Sequence, residues 1–108
     1  MNATRITDDY AVAAQVLPNE VAAIAAKGFV AVICNRPDNE DPQQPLASEI
    51  AAECEKAGMT FHHIPVSRVP ISESAISEHR RVVDASGGPV FAYCRSGHRS
   101  TVIWQASA

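Results

Sequence analysis

The sequence predicts an α/β domain: a mainly parallel central sheet with helices on both faces. Three observations predict it. Two runs, "FVAVIC" (29–34) and "PVFAYC" (89–94), are continuously apolar, as strands buried on both faces must be. Segments of helical pattern alternate with the strands, and each ends on glycine. Strand-helix-strand order implies right-handed crossovers between parallel neighbours.

The elements follow in order. "RITDDYAVAAQV" (5–16) reads as a strand or hairpin with Asp8-Asp9 at its turn. "LPNEVAAIAAKG" (17–28) reads as a helix, with Pro18 in its first turn, Glu20 at its positive end and Gly28 as its stop. After the strand at 29–34 comes "NRPDNEDPQQP" (35–45), polar and carrying three prolines, a long loop. "ASEIAAECEKAGM" (47–59) is the second helix, with Ser48 the expected cap and Gly58 the stop. "TFHHIPV" (60–66) is a strand, and "ISESAISEHRRVVDASGG" (71–88) a third helix stopped by Gly87-Gly88. The strand at 89–94 leads through a short loop into "STVIWQASA" (100–108), which has the composition of a helix start.

At 108 residues the chain suits one domain, taken as residues 1–108, with a single modest core. It is 46% hydrophobic and 19% charged, an ordinary globular balance, and its net charge of -3 gives no reason to expect nucleic acid or a membrane surface as partner. The N-terminus "MNATRITDDY" has acids where a signal peptide needs an apolar stretch, and no apolar run is long enough to span a bilayer. The expected location is cytoplasmic. Cys34, Cys54 and Cys94 are three cysteines without a closely spaced pair, which argues against a disulfide scaffold and a cysteine zinc site. His62 and His63 are adjacent on a strand and point to opposite faces; one is expected buried and hydrogen-bonded, the other near the site or solvent. No spacing calls for a metal, and nothing calls for a cofactor.

The chemistry concentrates in "FAYCRSGHRS" (91–100). A loop joining a buried strand to a helix N-terminus presents several backbone N–H groups to one point, and the helix dipole adds positive potential. Gly97 lets such a loop curl, and Arg99 supplies a planar fork of donors for an oxyanion. The same field favours thiolate over thiol, so Cys94 is the candidate nucleophile. Arg95, Ser96, Gly97, His98 and Ser100 are the candidate anion-binding residues. His98 either adds a donor at the mouth or points outward; Ser100 bonds the thiolate, caps the following helix, or both.

"YCRSGHRS" resembles the active loops of rhodanese sulfurtransferases and of cysteine-dependent protein phosphatases. With "RITDDYAVAAQ", "NRPDNEDPQQP" and "HHIPV", nearly the whole chain resembles the phosphatase-like domain of beta-lactamase-hydrolase-like proteins. The resemblance implies a protein tyrosine/dual-specificity phosphatase-like fold, Cys94 as nucleophile and the backbone of Arg95 to Arg99 as the anion cradle. The family's domain is often fused N-terminally in longer proteins, so either this is one such domain, with a fused or associated metallo-beta-lactamase-fold domain as an expected partner, or its last helix takes cover from a partner subunit or domain. The family's helical region continues beyond the point where this chain stops.

Two departures from the phosphatase pattern stand out. Four residues separate Cys94 from Arg99, the rhodanese count, where phosphatases of this fold have five. The position after the strand "HHIPV", where such phosphatases carry an aspartic general acid, reads Ser67-Arg68-Val69-Pro70. Cleavage of a phosphate ester benefits from a proton donor, whereas thiosulfate releases sulfite, already a stable anion. The leading expectation is therefore sulfur transfer through a Cys94 persulfide, from thiosulfate or a small persulfide to a thiol acceptor. The alternatives are a phosphatase passing through a Cys94 phosphoenzyme, and an anion-binding module without turnover. Asp38 in "NRPDNED" is the one candidate acid for the phosphatase, set against an ordinary role as a turn former after Pro37; Arg36 beside it is a candidate anion ligand or a solvated loop residue.

Other residues carry quieter expectations. Cys34 ends its strand at the same edge as Cys94, as a buried hydrophobe or a resolving thiol. Cys54 reads as helix packing, His79 beside Arg80-Arg81 as part of an exposed charged face, and Trp104 as the residue that packs the last helix on the sheet.

Overall fold

The structure, a computed structural model, describes residues 2–68 and 70–107. Strands β1 (Ala3–Thr7) and β2 (Tyr10–Ala13) form the opening hairpin, and a 3-10 turn at Pro18–Glu20 leads into helix α1 (Val21–Ala26). There follow β3 (Ala31–Cys34), α2 (Ala47–Lys56), β4 (Thr60–His63), α3 (Glu73–Ala85), β5 (Val90–Tyr93) and α4 (His98–Ser107). The sheet order is β1-β2-β5-β3-β4, with β1 antiparallel to β2 and every other pair parallel. The continuously apolar run at β5 therefore marks the central strand, as expected of a strand covered on both faces.

The two faces carry separate helices. Alternate residues Val32, Cys34, Phe91 and Tyr93 pack against Val21 and Ile24 of α1 and Ile50 and Cys54 of α2. Their neighbours Ile33, Val90 and Ala92 pack with Val82 of α3 and Ile103 of α4. Trp104 stacks on Tyr10 at 5.8 Å between ring centroids, fastening α4 to β2 as its composition suggests. Among the described residues no helix is long and apolar enough to cross a membrane.

The elements differ from the sequence reading in four places. The regular strands are shorter than the apolar runs, and Cys94 falls one residue past β5, already in the loop. Beyond β4 the chain stays extended: Ile64 N–H bonds Cys34 O and Val66 N–H bonds Asn35 O, each at 2.9 Å. Ser48 lies inside the first turn of α2 and caps nothing. The open N–H of Ala47 is satisfied instead by Asp38 Oδ1 at 2.8 Å, a carboxylate at the positive end of the helix. His79 is not on an exposed face; it is 1% exposed and wedged between Tyr10 and Ser107. One proton assignment uses every donor there: Tyr10 Oη–H donates to His79 Nε2 at 2.7 Å, Nδ1–H to Ser107 Oγ at 2.8 Å, and Ser107 to Ile103 O at 2.8 Å. Burial holds the imidazole down at about 4 and keeps it neutral at ordinary pH.

Candidate active site

The parallel register aligns Ala13, Tyr93, Cys34 and His63 in one row at the carboxyl edge of the sheet. The next residue of each strand opens a loop, so Ala14-Gln15, Cys94, Asn35-Arg36 and Ile64 emerge side by side. This is the edge where ligands bind in open α/β sheets.

Cys94 sits at the floor of the loop before α4, held by Cys94 N–H to Ala13 O at 3.3 Å, and Gln15 N–H binds Arg95 O at 3.4 Å. Gly97 has φ 95°, the left-handed region, which lets its N–H turn inward to Cys94 Sγ at 3.0 Å. Burial alone would raise the Cys94 thiol. The backbone N–H groups of Ser100, Ser96, Gly97 and Arg99 outweigh it, and the thiol titrates below its ordinary value. By contrast, burial pushes the Cys34 and Cys54 thiols up, the latter to about 11.

Arg99 does not lie loose at the mouth. Its Nη1–H groups donate to Glu40 Oε2 and Val66 O, both at 2.7 Å, and Nη2–H donates to Glu40 Oε1 at 2.8 Å. Arg36 is 5% exposed, with Nε–H on Glu40 Oε1 and Nη1–H on Gln15 Oε1, both at 3.0 Å. The carbonyl of Arg36 accepts from His63 Nε2 at 2.9 Å and from Cys34 Sγ at 3.3 Å. Hydrogen bonds from Arg99 lead the effects that hold the Glu40 carboxyl down at about 2, so it stays ionised and cannot donate a proton.

Several expected roles change in detail. Ser100 presents its backbone to Cys94, while its hydroxyl donates to Asn35 Oδ1 at 2.8 Å and Asn35 Nδ2 continues to Ile64 O at 2.9 Å. The hydroxyl at the helix start is that of Ser96, accepting His98 N–H at 3.3 Å. His98 and Arg95 are exposed beside the loop. Asp38 is committed to α2, so the structure does not aim it at Cys94 as an acid. Arg36 is neither a free loop residue nor a bare anion ligand; it holds Glu40. Cys34 faces α1 and α2 in the layer of Tyr93, whereas Cys94 is the next residue after Tyr93, so the two thiols leave the sheet differently. His62 is half-buried, and the exposed His63 is the one that is hydrogen-bonded near the site. Gln15, Asn35 and Glu40 went unnoticed in the sequence because each belongs to an unremarkable loop; only the register brings them beside Cys94.

The chain matches the model of the beta-lactamase hydrolase-like protein, phosphatase-like domain, over residues 3–108. It belongs to this phosphatase-like domain family. A beta-lactamase hydrolase-like protein of Agrobacterium fabrum is 34% identical over 96% of the chain, and one of Xylella fastidiosa 29% over 99%. The chain spans 24% and 25% of the length of these two relatives, about a quarter of each. Among solved structures, a provisionally named phosphatase from Neisseria meningitidis superimposes with a TM-score of 0.84 at 34% identity, covering 93% of this chain and 71% of that one. Tk-PTP in its active form gives 0.66 at 26% identity, covering 88% and 63%. The phosphatase-like domain thus has the protein tyrosine phosphatase-like α/β fold that its sequence predicts.

Proposed function

We propose that the domain is a cysteine-dependent phosphatase acting through a Cys94 phosphoenzyme. The reading rests on the ring of loop amides that favours the Cys94 thiolate, in a chain of the phosphatase-like family. This reverses the order of the two enzyme readings drawn from the sequence. In the first step the thiolate attacks phosphorus, an S–P bond forms and the ester P–O bond breaks. The leaving oxygen takes its proton from water. Water then attacks the phosphoenzyme, releasing phosphate and restoring the thiolate. The loop amides and Arg99 hold the equatorial oxygens throughout, and exposed Arg95 adds positive potential.

The substrate class follows from the acids. Asp38 is bound to Ala47 N–H and Glu40 is ionised, so neither supplies a proton to the leaving group. Aryl phosphates, whose oxyanions leave without help, should turn over, and alkyl phosphates should lag by a factor on the order of 10²–10⁴, the usual worth of a general acid. Comparing p-nitrophenyl phosphate with phosphoserine on wild type and Cys94→Ser tests this. Equal rates on both esters, or turnover that survives the substitution, would contradict it.

Sulfur transfer remains as a second reading because of one specific observation, the four-residue spacing of Cys94 and Arg99. There the thiolate attacks the sulfane sulfur of thiosulfate, the S–S bond breaks and sulfite leaves, giving a persulfide for a thiol acceptor. Thiosulfate-to-cyanide transfer absent in Cys94→Ser would favour it. Tight sulfate binding with no covalent adduct would mark the module without turnover. A cytoplasmic setting and a fused or associated metallo-beta-lactamase-fold domain complete the proposal, the latter supported by relatives about four times the length of this chain.

A further inference from the structure

We propose that Glu40 is the positioning residue for Arg99: it grips the far end of the guanidinium so that the near edge stays open to the substrate anion. The inference rests on the reading of Cys94 as an anion-cradle nucleophile and adds a residue to it. A guanidinium has five N–H groups in one plane. Glu40 takes one from Nη1 and one from Nη2, end-on, and Val66 O takes the second of Nη1. Among the described residues the remaining two, on Nε and Nη2, meet no oxygen acceptor; the Cys94 thiolate is the group that faces them. These two lie parallel on one edge and form the side-on fork that suits two oxygens of a tetrahedral anion. The Cys94 thiolate lies close enough to Arg99 to join Glu40 in raising its pKa, so Arg99 and the nucleophile share one site.

Glu40 is itself held, and this is what makes it a mount and not a passing partner. Arg36, nearly buried, binds Glu40 Oε1 and is anchored in turn by Gln15, which follows β2 and whose backbone N–H bonds Arg95 O. The chain Gln15–Arg36–Glu40–Arg99 thus runs from a residue bonded to the Cys94 loop back to the first turn of α4. Two arginines and one carboxylate leave a net positive charge. The ordering of Arg99 is completed before the anion arrives, which lowers the entropy lost on binding.

The test reads anion binding without requiring turnover: protection of Cys94 from iodoacetamide by sulfate. Wild type should be protected, and Glu40→Gln should need about tenfold more sulfate, the loss of roughly one charge-assisted hydrogen bond. Its alkylation rate without sulfate should stay close to wild type, and its Tm should fall by no more than acid protonation of Glu40 costs the wild type; a merely structural role would lower Tm without moving the sulfate dependence. Glu40→Asp, which keeps the charge but is one methylene too short, should shift the same way and serves if Glu40→Gln folds poorly. Equal protection in both variants would overturn the role of Glu40 alone, and tighter protection would mark it as a plug over the site. Absence of protection in wild type would overturn the anion cradle itself, and this inference with it.

Discussion

Three carboxylate- or thiol-bearing residues decide what the site can do, and each is set by its immediate partners. Cys94 titrates low because amides of its own loop point at it. Its alkylation by iodoacetamide should therefore have a midpoint below the ordinary cysteine value of about 8.5, while that of Cys54, in the same protein unfolded enough to react, should not. Asp38 illustrates the opposite case. Its carboxylate is bonded to α2, so Asp38→Ala should lower stability by about 1 kcal/mol, the usual worth of a capping interaction, and leave aryl phosphate turnover within about twofold. A loss of the basic limb of the pH-rate profile in that variant would show that Asp38 is the acid after all. From the sequence, the nucleophile and the arginine were legible because their spacing and flanking glycine are local. Glu40 was not, because its meaning depends on Arg99, which lies 59 positions along the chain.

At the scale of elements, the β5–α4 turn carries the chemistry and is constrained from both sides. Gly97 at φ 95° is strained for any other residue, although a Cβ there would find only ordinary contact, 3.5 Å to the Ala13 backbone. Gly97→Ala should thus cost about 1–2 kcal/mol through the backbone and rotate the amide away from Cys94, weakening sulfate protection. Ser100→Ala leaves Asn35 Oδ1 buried without its donor and should cost about 1–3 kcal/mol in urea unfolding. The alternation of strands and helices was readable from runs of apolar residues and stopping glycines. The errors fell where an element's end is decided by a distant group. Ser48 looked like a cap because it sits near Ala47, but Asp38 reaches the same N–H from nine residues upstream.

Across the whole molecule, two layers of helices clamp one sheet, and the α3–α4 layer contains the buried His79. Its charge pattern beside Arg80 and Arg81 suggested solvent; tertiary burial against Tyr10 overrode it. The consequence is a pH dependence with a definite sign. The folded value of about 4 lies below the ordinary 6.5, so the unfolded chain binds the proton first. Stability is full above pH 6.5 and falls as pH drops from 6.5 to about 4, with a slope of at most about 1.4 kcal/mol per pH unit. Glu40, held at about 2 against an ordinary 4.5, adds a further loss as pH falls from 4.5 to about 2. Thermal melts at successive pH values check this, and a Tm flat between pH 6.5 and 4 would remove His79 from the account.

The central claim is that Cys94 forms a covalent intermediate with a phosphoryl group. Intact-protein mass spectrometry after acid quench, with p-nitrophenyl phosphate or thiosulfate offered separately to wild type and Cys94→Ser, tests it most directly. The account predicts one phosphoryl group on wild type alone. One sulfur atom from thiosulfate, with no phosphoryl adduct, would instead establish the persulfide chemistry. No adduct from either would contradict the nucleophile and leave an anion-binding loop.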